Sequence, residues 1–393
     1  MTIKQRDRKY LGRDSEPDDL EITRAEASHV FAADGRRYTD FTSGWCVGNL
    51  GWGDKEVRAQ LRRFKGPSYV APSSLYAPWA ALAELLAEIT PGKLTKSFRA
   101  TGGSEAVDLA LQAAMLHTRR GKFLALEDSY HGNSLAGISV ASSEDRASLP
   151  NFLRGCEKIP APLDEKALRK IEARLKRRDV AAFIMEPVSI NLGVVVPERA
   201  VMAELQRLCR RTGTLLIMDE VACGFGRTGK LFASEHFPIA PDILCLAKAL
   251  TGGHAAMGAA IMTEPVARSM EQDGSFYSTF GWHPFSVHAA LATLRYWRRH
   301  ENRILRHVET ISDLFRTRLG QMKFDGLREM RVQGLAIALE FDNEDTVSDL
   351  EEACQEKGLL VTDGGGEFLL LLPPLNIERR VAERGLDILQ SCL

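Results

Sequence analysis

The sequence predicts an α/β fold: a large domain with a mostly parallel mixed sheet flanked by helices, plus a smaller α+β domain. Three observations predict it. Five short runs, "KFLAL" (122–126), "AAFIM" (181–185), "TLLIM" (214–218), "DILCL" (242–246) and "GAAIM" (258–262), are apolar on both alternating faces, as strands buried on both sides are. Helix-length amphipathic segments, 104–117, 163–177 and 198–212, lie between several of them, the alternation that builds parallel sheets. From about Pro284 the texture changes to long charged helical patterns reaching Met322, then short strands and two more helices.

Taken in order, the first twenty residues are polar and read as a draped arm. "HVFAADGRRYTDF" (29–41) carries strand and turn signals. We assign residues 1–45 to an N-terminal segment that joins the small domain, 46–283 to the large domain, and 284–393 to the small C-terminal domain, whose strands are "GLAIALEF" and "EFLLLLPP". Composition is that of a soluble globular protein, with 45% hydrophobic residues, 26% charged residues and a formal net charge of −1. This balance gives no reason to expect nucleic acid or an anionic membrane as partner. No apolar run is long enough to span a bilayer, and no signal peptide is evident, so a cytoplasmic location is expected. The seven cysteines are scattered, without a CxxC pair or a Cys/His cluster, which argues against structural metal and a disulfide framework.

The chemistry is expected beyond the carboxyl ends of the strands, where ligands bind in open α/β sheets. "AAFIM" runs into Glu186-Pro187, "TLLIM" into Asp219-Glu220 and "DILCL" into Ala247-Lys248. An amine nucleophile paired with a carboxylate that can hold a protonated ring nitrogen is what pyridoxal phosphate (PLP) requires. "FRATGGSEAVDLALQAAM" supplies a phosphate cradle. Gly102 and Gly103 admit an anion close to the backbone, Ser104 reads as the N-cap, and the following helix offers free N–H groups. "SYHGNS" offers Tyr130 as an aromatic cover for the ring. The match to G-x-G-x-x-G at Gly224–Gly229 fails as a dinucleotide site. Asp219 and Glu220 intervene between strand and glycines, and Pro238 and Pro241 leave no room for a long helix after them.

Together with "DFTSGWCVGNLGWGD", "TGGSEA", "YHG", "MEPV", "STFGWHP" and "LLPPL", the stretch "LLIMDEVACGFGRTGKLFASEHFPIAPDILCLAKALTGG" resembles the class III (omega) PLP-dependent aminotransferases of fold type I, over roughly residues 30–390. The central stretch resembles the diaminopelargonic acid aminotransferase branch. The resemblance implies that Lys248 forms the Schiff base with PLP and moves the substrate proton, and that Asp219 pairs with the ring nitrogen. It implies that Val221 and Tyr130 cover the two ring faces and that Gly103 and Ser104 bind the phosphate. It places Glu186 near the ring and lets Thr279 reach the phosphate of a neighbouring subunit, hence a homodimer with active sites at its interface. The implied activity is ping-pong transfer of an amino group, through pyridoxamine phosphate, from a primary amine or amino acid to an aldehyde or ketone. A racemase, epimerase or aminomutase of the same fold stays open.

The sequence departs from the family where substrate carboxylates are recognised. The position that holds an arginine before the paired prolines in the ornithine and 4-aminobutyrate branch is Leu370 here, and the glutamate shielding that arginine is Asn191. Asp363 falls about where the diaminopelargonate branch has its arginine. It reads either as a substrate-facing acid or as a turn residue of the glycine-rich loop. These changes favour an amine- or sugar-like substrate over a simple ω-amino acid. Trp45 and Trp282, where the family has smaller residues, are expected to wall the substrate pocket.

Overall fold

The computed structural model describes residues 1–13, 19–141 and 149–393. The arm opens with a helix, Ile3–Tyr10, capped by Thr2, so part of it has regular structure; residues 14–18 of that arm lie outside the described residues. Three strands follow: β1 (Ile22–Glu26), β2 (His29–Ala32) and β3 (Arg37–Asp40). The large sheet comprises β4 (Leu94–Ala100), β5 (Lys122–Leu126), β6 (Cys156–Ile159), β7 (Val180–Met185), β8 (Leu215–Asp219), β9 (Ile243–Leu246) and β10 (Gly258–Thr263). The C-terminal strands are β11 (Leu327–Gln333), β12 (Ala336–Phe341), β13 (Leu359–Leu360), β14 (Thr362–Asp363) and β15 (Phe368–Leu371).

The large sheet has the order β4-β10-β9-β8-β7-β5-β6. Only β10 runs antiparallel to its neighbours; the other pairings are parallel. This is the mostly parallel mixed sheet the sequence predicts. The five apolar runs all become strands of it. Every residue of β7 and β8 is buried, as expected of strands covered on both faces. β4 and β6 were not anticipated, because Lys96, Arg99, Glu157 and Lys158 interrupt their apolar character. The predicted helices form as Gly103–Thr118, Glu165–Leu175 and Arg199–Thr212. The last ends at Gly213 in the left-handed conformation, a glycine helix stop.

The charged patterns after Pro284 form one helix, Pro284–Leu319, of 36 residues and so about 54 Å long. It touches the helices Lys55–Leu61, Ala77–Ile89 and Arg379–Gln390 and strand β11. β11, β12, β15 and β14 form a separate antiparallel sheet. β13 leaves it to pair in parallel with β3, tying the N-terminal strands to the C-terminal part.

The glycine-rich segment Gly224–Gly229 is a run of turns followed only by the one-turn 3₁₀ helix Ala233–His236. Its business is structural, and Arg227 at its centre shows how. The guanidinium is fully buried. Nη1 donates to the carbonyls of Leu335 (2.8 Å) and Pro373 (2.6 Å), and Nη2 to Asn49 Oδ1 (2.7 Å). Asn49 returns a bond from Nδ2 to Phe225 O (3.0 Å). One side chain thus joins the loop behind β8 to the segment after β3 and to the turn after β15. Gly226 must lack a side chain because a Cβ there would overlap Trp297 of the long helix. Replacing Arg227 by leucine strands several buried acceptors, each worth about 1–3 kcal/mol when left unpaired. We expect R227L to lower the denaturation midpoint, corresponding to a loss of about 2–4 kcal/mol, and an unchanged midpoint would refute the clasp.

Candidate active site

A cavity of about 410 Å³ opens at the carboxyl ends of the large sheet. Its walls come from residues that end strands or follow them: Thr101 to Ser104 after β4, Tyr130 to Gly132 after β5, Glu186 after β7, Asp219 ending β8, Lys248 after β9. Parallel strands point their carboxyl ends the same way, so this convergence follows from the topology.

Asp219 lies on the central strand and is only 4% exposed. Its Oδ2 is 2.8 Å from His131 Nδ1, and its Oδ1 accepts from Val221 N at 3.1 Å. A carboxylate can only accept, so the imidazole proton sits on Nδ1 in this pair. His131 Nε2 has no partner, although it is buried and lines the cavity. Sequence reasoning passed over His131 as a member of the Tyr130 loop. The available signal was a second titratable residue in the same tripeptide.

Lys248 starts the short 3₁₀ turn Lys248–Thr251 with φ of 45°, a left-handed conformation rarely taken by a residue with a side chain. Such strain persists only where surrounding structure imposes it. Here Ala247 is buried behind the cavity, and Gly252 and Gly253, both at positive φ, complete the turn.

The cradle is built from backbone. The helix Gly103–Thr118 starts at Gly103, with Gly102 as its N-cap and no side-chain cap. Ser104 is therefore not the N-cap expected from sequence. It is the second helical residue, and its Oγ accepts from Asn133 N at 3.2 Å, which anchors the Tyr130–Gly132 loop. The helix is closed instead by Glu105, whose Oε2 accepts from Thr101 N and Thr101 Oγ1, both at 2.6 Å. A Cβ on Gly103 would press on Val221 at 3.1 Å, and one on Gly258 would overlap the Gly102 carbonyl. These absences of side chain leave the first amides of the helix open to an anion.

Glu186 is 4% exposed. Its Oε2 accepts from Asn191 N (3.2 Å) and Asn191 Nδ2 (3.0 Å), while Oε1 has no partner. Burial first, then the charge of Asp219, push its carboxyl up to about 8; Asn191 and Lys248 pull the other way. Glu220, the residue after Asp219, does not line the cavity. It accepts from Ala233 N, Ser234 N and Ser234 Oγ, and burial still raises it to about 7.

The cavity thus gathers Gly103, Ser104, Tyr130, Glu186, Asp219, Val221 and Lys248 in its lining. It does not gather Thr279, which is exposed on this chain, nor the three substrate-pocket residues expected from sequence. Asp363 is occupied as a turn residue. Its Oδ1 accepts from Gly365 N (2.8 Å) and its Oδ2 from Ser348 Oγ (3.5 Å). Trp282 is 2% exposed, and its Nε1 donates to Gly258 O (2.9 Å), so it holds the start of β10 beneath Gly102. Trp45 is exposed, with Gly44 and itself both left-handed; from that segment Val47, not Trp45, reaches the lining. Asn191 and Met257 join the wall instead. The residues present suit PLP: a side-chain-free cradle at a helix start, a buried acid in the middle, an amine just after the next strand, and two buried polar atoms of lining residues left without partners.

Residues 10–393 match the aminotransferase class-III family. Among solved structures the chain is similar to the ornithine aminotransferase of Toxoplasma gondii, at 25% identity over 99% of this chain and 93% of that one, with a TM-score of 0.89. An aminotransferase of Bacillus anthracis is 26% identical over 100% of this chain and 99% of its own, with a TM-score of 0.88. The omega transaminase of Pseudomonas jessenii in complex with PMP shares the fold at 23% identity, with 100% and 97% coverage and a TM-score of 0.93.

The raised Glu186 carries a prediction for stability. An acid whose folded pKa is raised keeps its proton where the unfolded chain has lost it. Its contribution is complete below the ordinary glutamate range and is lost as pH rises to about 8. The cofactor-free protein should therefore lose stability between pH 5 and 8. E186Q, which cannot titrate, should flatten that fall by up to about 1.4 kcal/mol per pH unit. Parallel stability–pH curves for the two proteins would contradict the buried proton.

Proposed function

The chain belongs to the class III aminotransferases, which use PLP, and we propose that it moves an amino group by a ping-pong reaction from an amine- or sugar-like donor to an aldehyde or ketone. The observation that carries this reading is the meeting of Lys248, Asp219 and the Gly102–Gly103 cradle in one cavity. Bound PLP supplies an electron sink and stores the amino group between donor and acceptor.

The chain's residues then divide the work. Lys248 Nζ holds the cofactor and carries the proton between substrate carbon and cofactor carbon. Asp219, oriented by His131 and Val221 N–H, keeps a proton on the ring nitrogen. Val221 and Tyr130 confine the ring between them, and Tyr130, 43% exposed, is the face that opens toward substrate. Gly103 and Ser104 hold the phosphate at the helix start. Thr279 completes the phosphate site of a second copy, in a cytoplasmic homodimer. Kinship with the diaminopelargonate branch rests on the central stretch alone. The pairing of β13 with β3 supports treating residues 1–45 and 284–393 as one small domain.

The substrate class follows from charge. Among the described residues no arginine lines the cavity, and Lys248 is its sole lysine. The carboxylates of Glu186 and Asp219 face it instead. With Lys248 taken up by the cofactor, a substrate carboxylate finds no partner of opposite charge in this lining, whereas a second amino group finds acids and a hydroxyl finds hydrogen-bond acceptors.

Single-turnover spectroscopy on the PLP-loaded protein tests this. Glutamate, alanine, ω-amino acids, diamines and amino sugars are offered one at a time. Conversion of the cofactor to its amine form by a diamine or amino sugar, faster than by ω-amino acids, is the expected result. Exchange of substrate hydrogen with solvent deuterium without that conversion would replace the transferase by an isomerase. K248A should slow the conversion by about 10³-fold or more.

A further inference from the structure

The chain that leaves β7 makes one short excursion along the cavity wall, and it is tied down firmly. Ser189 and Val195 face each other across its base, each N–H donating to the other's carbonyl, at 2.9 and 3.1 Å. Between them Ile190–Leu192 form a single 3₁₀ turn, which ends at Gly193 in the left-handed conformation. Arg331 of β11 donates through Nη1 to the Gly193 carbonyl at 2.9 Å. The Phe368 ring of β15 stands against Gly193, where a Cβ would overlap it. The turn is thus held by its own backbone and by the separate antiparallel sheet, and Asn191 in its middle has little freedom.

The hydrogen bonds of Asn191 also fix which way its amide points. Its N and Nδ2 both donate to Oε2 of Glu186, at 3.2 and 3.0 Å. A backbone N–H can only donate, so Oε2 is an accepting oxygen. The hydroxyl oxygen of a carboxylic acid is its weaker acceptor, so a neutral Glu186 carries its proton on Oε1 and Oε2 accepts in both states. The side-chain atom beside Oε2 is then the amide nitrogen, because Oδ1 there would set two acceptors face to face. Oδ1 is the atom turned away from Glu186. It bonds to no described residue, and Asn191 is a half-buried part of the cavity lining.

Several polar neighbours in that lining are already engaged. Thr101 Oγ1 donates to Glu105, Ser104 Oγ accepts from Asn133 N, and both oxygens of Asp219 have donors. Val47 and Met257 add apolar surface. A neutral carbonyl oxygen fixed among them accepts from an ammonium or a hydroxyl group. It offers a carboxylate only acceptor against acceptor, and a methyl group leaves it unpaired.

Resting on the substrate class proposed above, we infer that Asn191 is a specificity-determining residue: its Oδ1 accepts a hydrogen bond from the second amino group or hydroxyl of the amino donor, the group that is not transferred. Glu186 serves this recognition as the anchor that orients the amide.

The test uses the PLP-loaded protein and three primary amines of equal length: the four-carbon amino alcohol, the four-carbon diamine and butylamine. Second-order rate constants of the donor half-reaction are compared as ratios, so that any general effect on the chemistry cancels. In N191L the ratio of amino alcohol to butylamine should fall about tenfold, the value of one hydrogen bond. N191D keeps an acceptor and adds charge, so the ratio of diamine to amino alcohol should rise about tenfold. E186Q still offers Nδ2 an accepting oxygen, so its ratio of amino alcohol to butylamine should stay within about twofold of wild type. A fall in E186Q as large as in N191L would make Glu186 the acceptor, and the inference fails. An unmoved ratio in N191L, with butylamine still converted, would leave Asn191 as a prop for Glu186, and the inference fails again. If leucine stops conversion of butylamine as well, N191D decides, and an unmoved ratio of diamine to amino alcohol refutes it. In each of these cases the proposed substrate class stands. Wild-type protein that converts a four-carbon ω-amino acid faster than the diamine and the amino alcohol overturns both.

Discussion

The rest of the site depends on one constraint: a carboxylate, Asp219, buried at the end of the central strand with no lysine or arginine paired to it among the described residues. His131 Nδ1 and Val221 N–H each give it one hydrogen bond. These orient the group and satisfy both oxygens, but neither supplies a full permanent positive charge. Burying an anion that way is expensive unless a cation arrives. On the proposed reading Asp219 is half of an ion pair whose other half is the protonated ring of the cofactor. The sheet imposes this. β8 has strands on both sides and no exposed face, so a residue at its end looks only into the cavity.

Crowding propagates from there. Glu186 stands on the adjacent strand end, where the Asp219 charge adds to burial in raising its carboxyl. Glu220, the next residue after Asp219, is turned away and pinned by the amides of Ala233 and Ser234. Consecutive acids at a strand end therefore do different jobs. One faces the cavity, and the other ties down the loop in which Arg227 sits. Gly224 permits this return, since a Cβ there would meet the Glu220 carbonyl at 2.7 Å.

Much of this was legible in the sequence. Fully apolar runs gave five strands of the large sheet, and the residues just beyond three of them fall in one cavity. Buried parallel strands have no polar positions to confuse the pattern, and their ends are marked by the first charge. β4 and β6 were not legible, since their side chains pair with neighbours at the sheet margin, as Glu157 does with Arg174. The N-cap lies at Gly102, two residues before the Ser104 that the sequence suggests. Ser104 looks like a cap, but the double glycine has freed the backbone to cap through Glu105 and Thr101. The tryptophans misled for a different reason. A large ring beside a site motif suggests a wall, yet the indole N–H of Trp282 needs an acceptor, and Gly258 O offers one inside the core. Asp363 was ambiguous by nature. Before three glycines an aspartate that accepts from the amide two residues on is the commoner arrangement, and the structure has it.

The phosphate side completes the electrostatic picture. On the proposed reading, a dianion sits among Gly102, Gly103 and Ser104, where the lining provides no arginine and where Lys248 is engaged with the reacting carbon. Its charge must then be met by helix amides and by neutral hydroxyls, a mode that binds phosphate without adding a full positive charge to the cavity. The consequence reaches the substrate. A cavity that meets its phosphate through dipoles leaves the negative field of that phosphate largely uncancelled, while the protonated ring answers Asp219. On that reading the field repels a carboxylate and welcomes an amine, and selectivity resides in what the wall withholds as much as in what it presents.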